Sequence, residues 1–169
     1  MTTLAYVGLG SNLAHPRRRI ARALRSLAQL PGTKVVAVSR NYRSAPIGTP
    51  GEQPDYVNAV AALSTSLSPR ALLAQLLVIE RHQGRRRTVD APRNAARTLD
   101  LDLLLYGGRR LHDATLTIPH PRMHERAFVL RPLLDIAPAA RIPRKGLVRW
   151  LHRGLLSQRI APTRRHHLH

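Results

Sequence analysis

Apolar residues recur along this chain in two rhythms, and the rhythm changes from segment to segment. Residues 4–10, Leu4-Ala5-Tyr6-Val7-Gly8-Leu9-Gly10, read as a strand ending in glycines. Ser11 and Asn12 are placed to cap a following helix, or Pro16 to open its first turn. From 17 to 30, Ile20, Ala23, Leu24, Leu27 and Leu30 fall at helical spacing, and Pro31-Gly32 stops the run. Residues 34–42 are β-branched and alternating, which predicts a strand. The stretch 45–54 holds three prolines and two glycines, an irregular loop. Residues 56–67 alternate as a second long strand, and Ser68-Pro69 opens a helix running to Gln83. Residues 85–96 are basic and aperiodic, a loop. A strand from 97 to 106 follows, then a short strand at 116–118 and helices at 124–134 and 147–156.

The order β-α-β-β-α-β is the ferredoxin-like, split βαβ arrangement. It predicts an α+β fold (an α/β sandwich) with a largely antiparallel sheet and packed helices. Residues 1–160 are expected to form one domain, and 161–169 a frayed basic tail.

The strand Arg97-Thr98-Leu99-Asp100-Leu101-Asp102-Leu103-Leu104-Leu105-Tyr106 carries chemistry as well as packing. Residues two apart on a strand share a face at roughly 6.6–7 Å along the chain. Asp100 and Asp102 therefore project together, and Leu99, Leu101 and Leu103 point the other way. Two like charges on an apolar strand are costly unless something positive sits on them. A divalent cation taking oxygen ligands fits, and so does an ion pair with an arginine such as Arg97.

Composition sharpens this. Nine acidic residues stand against 28 basic ones, a formal charge of +19, so an apolar-flanked acidic pair is unusual here. All the basic residues but Lys34 and Lys145 are arginines, whose forked donors suit phosphate. A GC-rich genome that writes Arg in place of Lys is the bland explanation of that bias, but it does not explain the shortage of acids. The absence of cysteine excludes disulfides and thiol chemistry. No apolar run approaches the roughly 20 residues that span a membrane, and no secretory signal is visible, so a cytoplasmic protein is expected.

Further motifs align with the acidic strand. They are Gly8-Leu9-Gly10-Ser11-Asn12, Tyr42-Arg43-Ser44, Gln53-Pro54-Asp55-Tyr56-Val57-Asn58, Gln83-Gly84-Arg85-Arg86-Arg87, Ile118-Pro119-His120-Pro121 and His124-Glu125-Arg126-Ala127-Phe128-Val129. A Gly-x-Gly after a strand is weak alone, and an arginine run is usually a solvated face. Together, in order over residues 1 to about 140, the set resembles the 6-hydroxymethyl-7,8-dihydropterin pyrophosphokinase family.

The resemblance implies pyrophosphate transfer from ATP to the hydroxymethyl group of the dihydropterin, releasing AMP, in folate biosynthesis. It implies a ferredoxin-like fold and two Mg²⁺ ions held by Asp100 and Asp102. By resemblance Arg85 and Arg97 join these as catalytic residues. ATP contacts are implied for Glu80, Arg85, Arg87, Arg97, Leu103, His120 and Arg126. Pterin contacts are implied for Ser44, Ala45, Ile47, Tyr56, Asn58 and Phe128, with Tyr56 and Phe128 stacking on the ring and Asn58 at its edge. The usual Trp-Gly-Pro before the Arg97 motif is replaced by Arg93-Asn94-Ala95-Ala96, and Ala45 stands where a second proline is common. The alternative is an RNA-binding ferredoxin-like protein, suggested by the charge. It lacks an RNP-type aromatic motif, and acids at a strand centre repel RNA. The partners expected are therefore ATP and the dihydropterin, with no membrane, no nucleic acid, and a monomeric state.

Overall fold

The computed structural model describes residues 1–12, 14–45, 55–83 and 99–163. Its centre is a strand pair, β1 (Thr3–Ser11) against β4 (Tyr56–Thr65), antiparallel over nine residue pairs from Thr3↔Thr65 to Ser11↔Val57. β5 (Asp100–Tyr106) lies antiparallel on the other edge of β1. The far edge of β4 is shared. β2 (Thr33–Val38) pairs with its second half, and β3 (Tyr42–Ser44) with its first. β10 (Ile160–Pro162) closes the sheet beyond β3. The split βαβ order and the antiparallel pairing are as the sequence predicts.

Two differences have local causes. The stretch 34–42 is two strands, not one, because the chain turns out of the ladder at Ser39. The Ser39 hydroxyl accepts from Val60 N at 2.9 Å and keeps that end of β4 satisfied. The expected boundary at 160 falls inside β10, so Ala161 and Pro162 belong to the sheet.

Alternation on β1 buries Ala5, Val7, Leu9 and Ser11 on one face. Against that face pack α1 (Pro16–Ala28), through Ile20, Ala23 and Leu27, and α2 (Pro69–His82), through Leu72, Leu76 and Ile79. Ser68 caps α2 by accepting from Ala71 N at 3.2 Å. Ser11 and Asn12 do not cap α1; its N-cap is His15, in the left-handed region with φ 58°. On the opposite face, Val60, Leu104 and Leu105 pack under α3 (Ala127–Ile136), through Leu130 and Leu133. α4 (Val148–Arg153) joins that layer through Val148.

The register against β1 slips beside Leu104, between Leu103↔Val7 and Leu105↔Tyr6, so Leu104 and Leu105 both reach the α3 side. That bulge explains three consecutive leucines in a strand that otherwise alternates. Four short strands complete the chain as hairpins: β6 (Leu111–His112) with β7 (Thr117–Ile118), and β8 (Arg141–Ile142) with β9 (Gly146–Leu147). A 3-10 turn at Met123–Glu125 precedes α3, so the helix predicted from 124 begins at Ala127. None of the described helices is long and apolar enough to cross a membrane.

Candidate active site

The alternation of β5 does what its sequence implies. Leu99, Leu101 and Leu103 are buried, and Asp100 and Asp102 are half-buried on the α3 side. Opposite them β1 places glycines: Gly10 faces Asp100 and Gly8 faces Asp102. Across β1, Gly10 also faces Asn58 of β4. One row thus runs Asn58–Gly10–Asp100 across three strands, spanning roughly 10 Å, two strand spacings. A Cβ on Gly10 would stand 3.2 Å from Asn58 Oδ1, and one on Gly8 would stand 3.5 Å from Leu104 Cδ1. The Gly-x-Gly pair lies within the strand rather than in a turn, and it keeps the floor between amide and carboxylates low.

Asn58 is buried, and its Nδ2 donates to Ser44 Oγ at 2.7 Å. Pairing of β3 with β4 puts Ser44 opposite Tyr56, with the exposed Ala45 next in the chain. Alternation sets Tyr56, Asn58 and Val60 on the α3 side, the face that also carries the two aspartates. Ile47 lies outside the described residues.

Glu80 reaches the strand from behind. It is buried in the last turns of α2, and its Oε1 accepts from Leu101 N at 2.8 Å. The resemblance implies ATP contact for Glu80; the structure places it against the backbone between the two aspartates. The Leu103 side chain is in the core, so only its backbone is available to a ligand. Two amides at this end are buried with their side-chain polar atoms unpartnered among the described residues: Asn12, two past Gly10, and Gln83, three past Glu80.

Arg126 is the N-cap of α3, and its guanidinium carbon lies 5.5 Å from the centroid of the Phe128 ring, a cation–π contact. Phe128 packs on the α3-side core. His120 is tied to the acidic strand by its backbone, N to Leu104 O at 2.9 Å. Its Nδ1 accepts from Arg122 N at 3.2 Å, which leaves the proton of the neutral ring on Nε2. Burial first, then the charges of Arg126 and Arg122, hold its pKa below the ordinary histidine value. Beside it opens a cleft of about 480 Å³, rimmed by Arg110, Arg144 and Lys145. Arg85, Arg87 and Arg97 lie outside the described residues.

The donor set fits Mg²⁺. Among the described residues there is no cluster of three or more His, Cys, Asp or Glu able to cage an ion. There is instead a pair of carboxylates on one strand face, and Mg²⁺ binds through one or two carboxylates, keeping its other positions for water and phosphate oxygens. Sequence reasoning missed two kinds of participant. Gly8 and Gly10 were read only as the end of a strand, and nothing in their local pattern showed that their missing side chains open the floor of the site. Gln158, whose amide binds Ala127 N and Glu125 O at 2.8 Å each, lies 31 residues or more from its partners and leaves no local signal.

Known proteins match this chain over most of its length. The family model described as 7,8-dihydro-6-hydroxymethylpterin-pyrophosphokinase matches residues 6–138. A 2-amino-4-hydroxy-6-hydroxymethyldihydropteridine pyrophosphokinase from Pseudomonas aeruginosa is 51% identical over 143 residues, covering 85% of this chain and 86% of the relative. One of the same description from Haemophilus influenzae is 47% identical over 144 residues, covering 85% and 88%. Among solved structures, the Plasmodium falciparum HPPK-DHPS with pteroate superposes with a TM-score of 0.72 at 14% identity, covering 93% of this chain. This chain spans 43% of that longer one, and the likeness carries the fold alone.

Proposed function

The chain belongs to the 7,8-dihydro-6-hydroxymethylpterin-pyrophosphokinase family, and from that premise we propose how its residues divide the work. The reaction is transfer of pyrophosphate from ATP to the hydroxymethyl group of 6-hydroxymethyl-7,8-dihydropterin, with release of AMP, a step of folate biosynthesis. The hydroxyl oxygen attacks the β-phosphorus, the bond from that phosphorus to the α,β-bridging oxygen breaks so that AMP departs with that oxygen, and the hydroxyl proton passes to water. Both sheet faces are packed by helices and one carries the two aspartates, so the RNA-binding alternative has no support.

The observation that carries the division is the row Asn58–Gly10–Asp100. A bicyclic pterin lies flat over a floor without side chains. In our reading its amide edge meets Asn58, held by Ser44, and its hydroxymethyl end lies toward Asp100 and Asp102. Tyr56 and Phe128 supply stacking faces, and Ala45 and Ile47 offer backbone groups to the ring edge. Asp100 and Asp102 would hold two Mg²⁺ ions. Bound there, the metal supplies charge neutralisation on the phosphate oxygens. Glu80 keeps the backbone between the two aspartates in place. Arg126 and neutral His120 flank the nucleotide, with the Leu103 backbone beside it. Arg85, Arg87 and Arg97 meet the phosphates with forked donors. The enzyme works as a monomer in the cytoplasm, and residues 1–160 are its one domain, with β10 running past that boundary.

The deciding experiment is mass-spectrometric detection of AMP and pyrophosphorylated pterin from purified protein, ATP, Mg²⁺ and the hydroxymethyl-dihydropterin. Metal-dependent appearance of both is expected. ATP consumption that yields ADP, or none without a nucleic acid, overturns the reading.

A further inference from the structure

The family match ends at residue 138, yet the segment beyond it reaches back into the site. Gln158 Oε1 accepts from Ala127 N at 2.8 Å, and its Nε2 donates to Glu125 O at 2.8 Å. One amide therefore grips the backbone on both sides of Arg126. That residue is the N-cap of α3 in extended conformation (φ −121°, ψ 108°), and it caps nothing with its own side chain. The first amides of a helix have no intrahelical acceptor, and the N–H of buried Ala127 is one of them. The distant Gln158 supplies the cap that the local sequence lacks.

The grip falls where the chain sets two directions at once. Arg126 leaves the junction on one side and Phe128 two residues on, and they touch through the cation–π contact of 5.5 Å. Gln158 is itself anchored, its N donating to Leu155 O at 2.9 Å, and Leu155 packs on the α3-side core. Two residues later Ile160 pairs with Ser44, the residue that holds Asn58. The segment 155–162 thus ties the start of α3 to the strand beside the amide edge of the site.

We infer that Gln158 is a positioning residue for substrate binding, acting through Arg126 and Phe128. The inference rests on reading those two residues as substrate contacts. A residue that merely stabilises the fold lowers the population of folded enzyme and adds its cost to any other change. A residue that acts through Phe128 has nothing left to orient once that ring is gone.

The test is a double-mutant cycle read by calorimetric titration with the dihydropterin, using folded protein verified by circular dichroism. Gln158→Ala is expected to weaken pterin binding about tenfold, the scale of one ordering hydrogen bond lost with its partner left buried. Phe128→Ala is expected to weaken it at least as much, and Gln158→Ala with Phe128→Ala no more than Phe128→Ala alone. In MgATP titrations Gln158→Ala is expected to weaken binding as well, through Arg126. Gln158→Glu keeps an acceptor for Ala127 but loses the donor to Glu125, and should show a smaller loss in the same direction. Should Gln158→Ala fail to fold, the same cycle with Gln158→Glu decides. Additive losses, or wild-type affinity in the Gln158 variant while Phe128→Ala is weakened, overturn the inference alone. Wild-type affinity in Phe128→Ala overturns the reading of the site, and the inference with it.

Discussion

Glu80 and Leu101 are joined by a hydrogen bond of 2.8 Å from strand backbone to buried carboxylate. Leu101 is the residue between Asp100 and Asp102, and its side chain is buried on the opposite face. A helix behind the sheet thus fixes the strand at the point where two like charges stand together.

Glu80→Ala is expected to lower both stability and turnover. It orphans the buried N–H of Leu101, which costs about 1–3 kcal/mol, and it frees the acidic strand to relax. Glu80→Gln keeps an acceptor oxygen and should retain most of the stability. Urea unfolding with parallel rate measurements checks this; equal losses in the two variants would mean that charge, not the hydrogen bond, matters.

Asp100→Asn and Asp102→Asn are each expected to reduce turnover by at least 10³-fold, a loss of several kcal/mol of transition-state stabilisation. Both variants should remain folded, because Asn keeps the shape of Asp on a half-buried strand face, and circular dichroism checks this. A wild-type rate in either one removes the metal assignment.

The floor makes its own prediction. Gly10→Ala puts a Cβ 3.2 Å from Asn58 Oδ1, so the amide must shift. Pterin affinity should fall several-fold while ATP affinity holds. Asn58→Ala is expected to fall further, by about 1–3 kcal/mol of pterin binding. Titrating each variant with each ligand gives the answer, and equal losses for both ligands would point to general packing.

Asp113 sets an acid limit on the β6–β7 hairpin. The Thr115 backbone N–H, then the Thr115 hydroxyl and the Leu116 N–H, lower its pKa from 3.8 to about 2, and Arg70 adds to this. A carboxyl held low in the folded state contributes fully above pH 3.8, and the contribution is lost as pH falls from there toward 2. The protection of the Thr115 and Leu116 amides, measured against their intrinsic exchange rates, should fall over that window. In Asp113→Asn it should already be low at neutral pH.

Tyr42 donates to Asp135 at 2.8 Å, and Arg40 and Arg131 donate to the same carboxylate. Tyr42→Phe removes one hydrogen bond and should cost about 1 kcal/mol. Asp135→Ala should cost more, because several donors lose one acceptor. Chemical denaturation measures both, and the reverse order would show that the hydroxyl, not the carboxylate, organises the cluster.

How much of this was written in local pattern depends on the residue. Asp100 and Asp102 were legible because a period of two needs only neighbours along the strand, and the apolar Leu99, Leu101 and Leu103 fixed its phase. Asn58 was legible as a polar side chain in an apolar strand. The break between β2 and β3 was not, because it turns on a Ser39 hydroxyl satisfying Val60 from across the sheet. Nor was the start of α3, whose cap comes from Gln158. Both features depend on contacts that only the folded chain creates, and no window along the sequence contains both partners. The role of the two glycines was obscured for another reason. A glycine leaves the same mark whether a turn needs its freedom or a neighbour needs its emptiness.

The last strand decides how one edge of the sheet ends. β3 is three residues long, and without β10 its outer edge would offer free backbone donors and acceptors to any other extended chain. β10 occupies that edge, and Pro162, opposite Tyr42, has no N–H to give. At this end, therefore, the sheet finishes in a strand poorly suited to recruit another. That edge of the sheet is closed to any other extended chain, and a version cut before Ile160 would open it again.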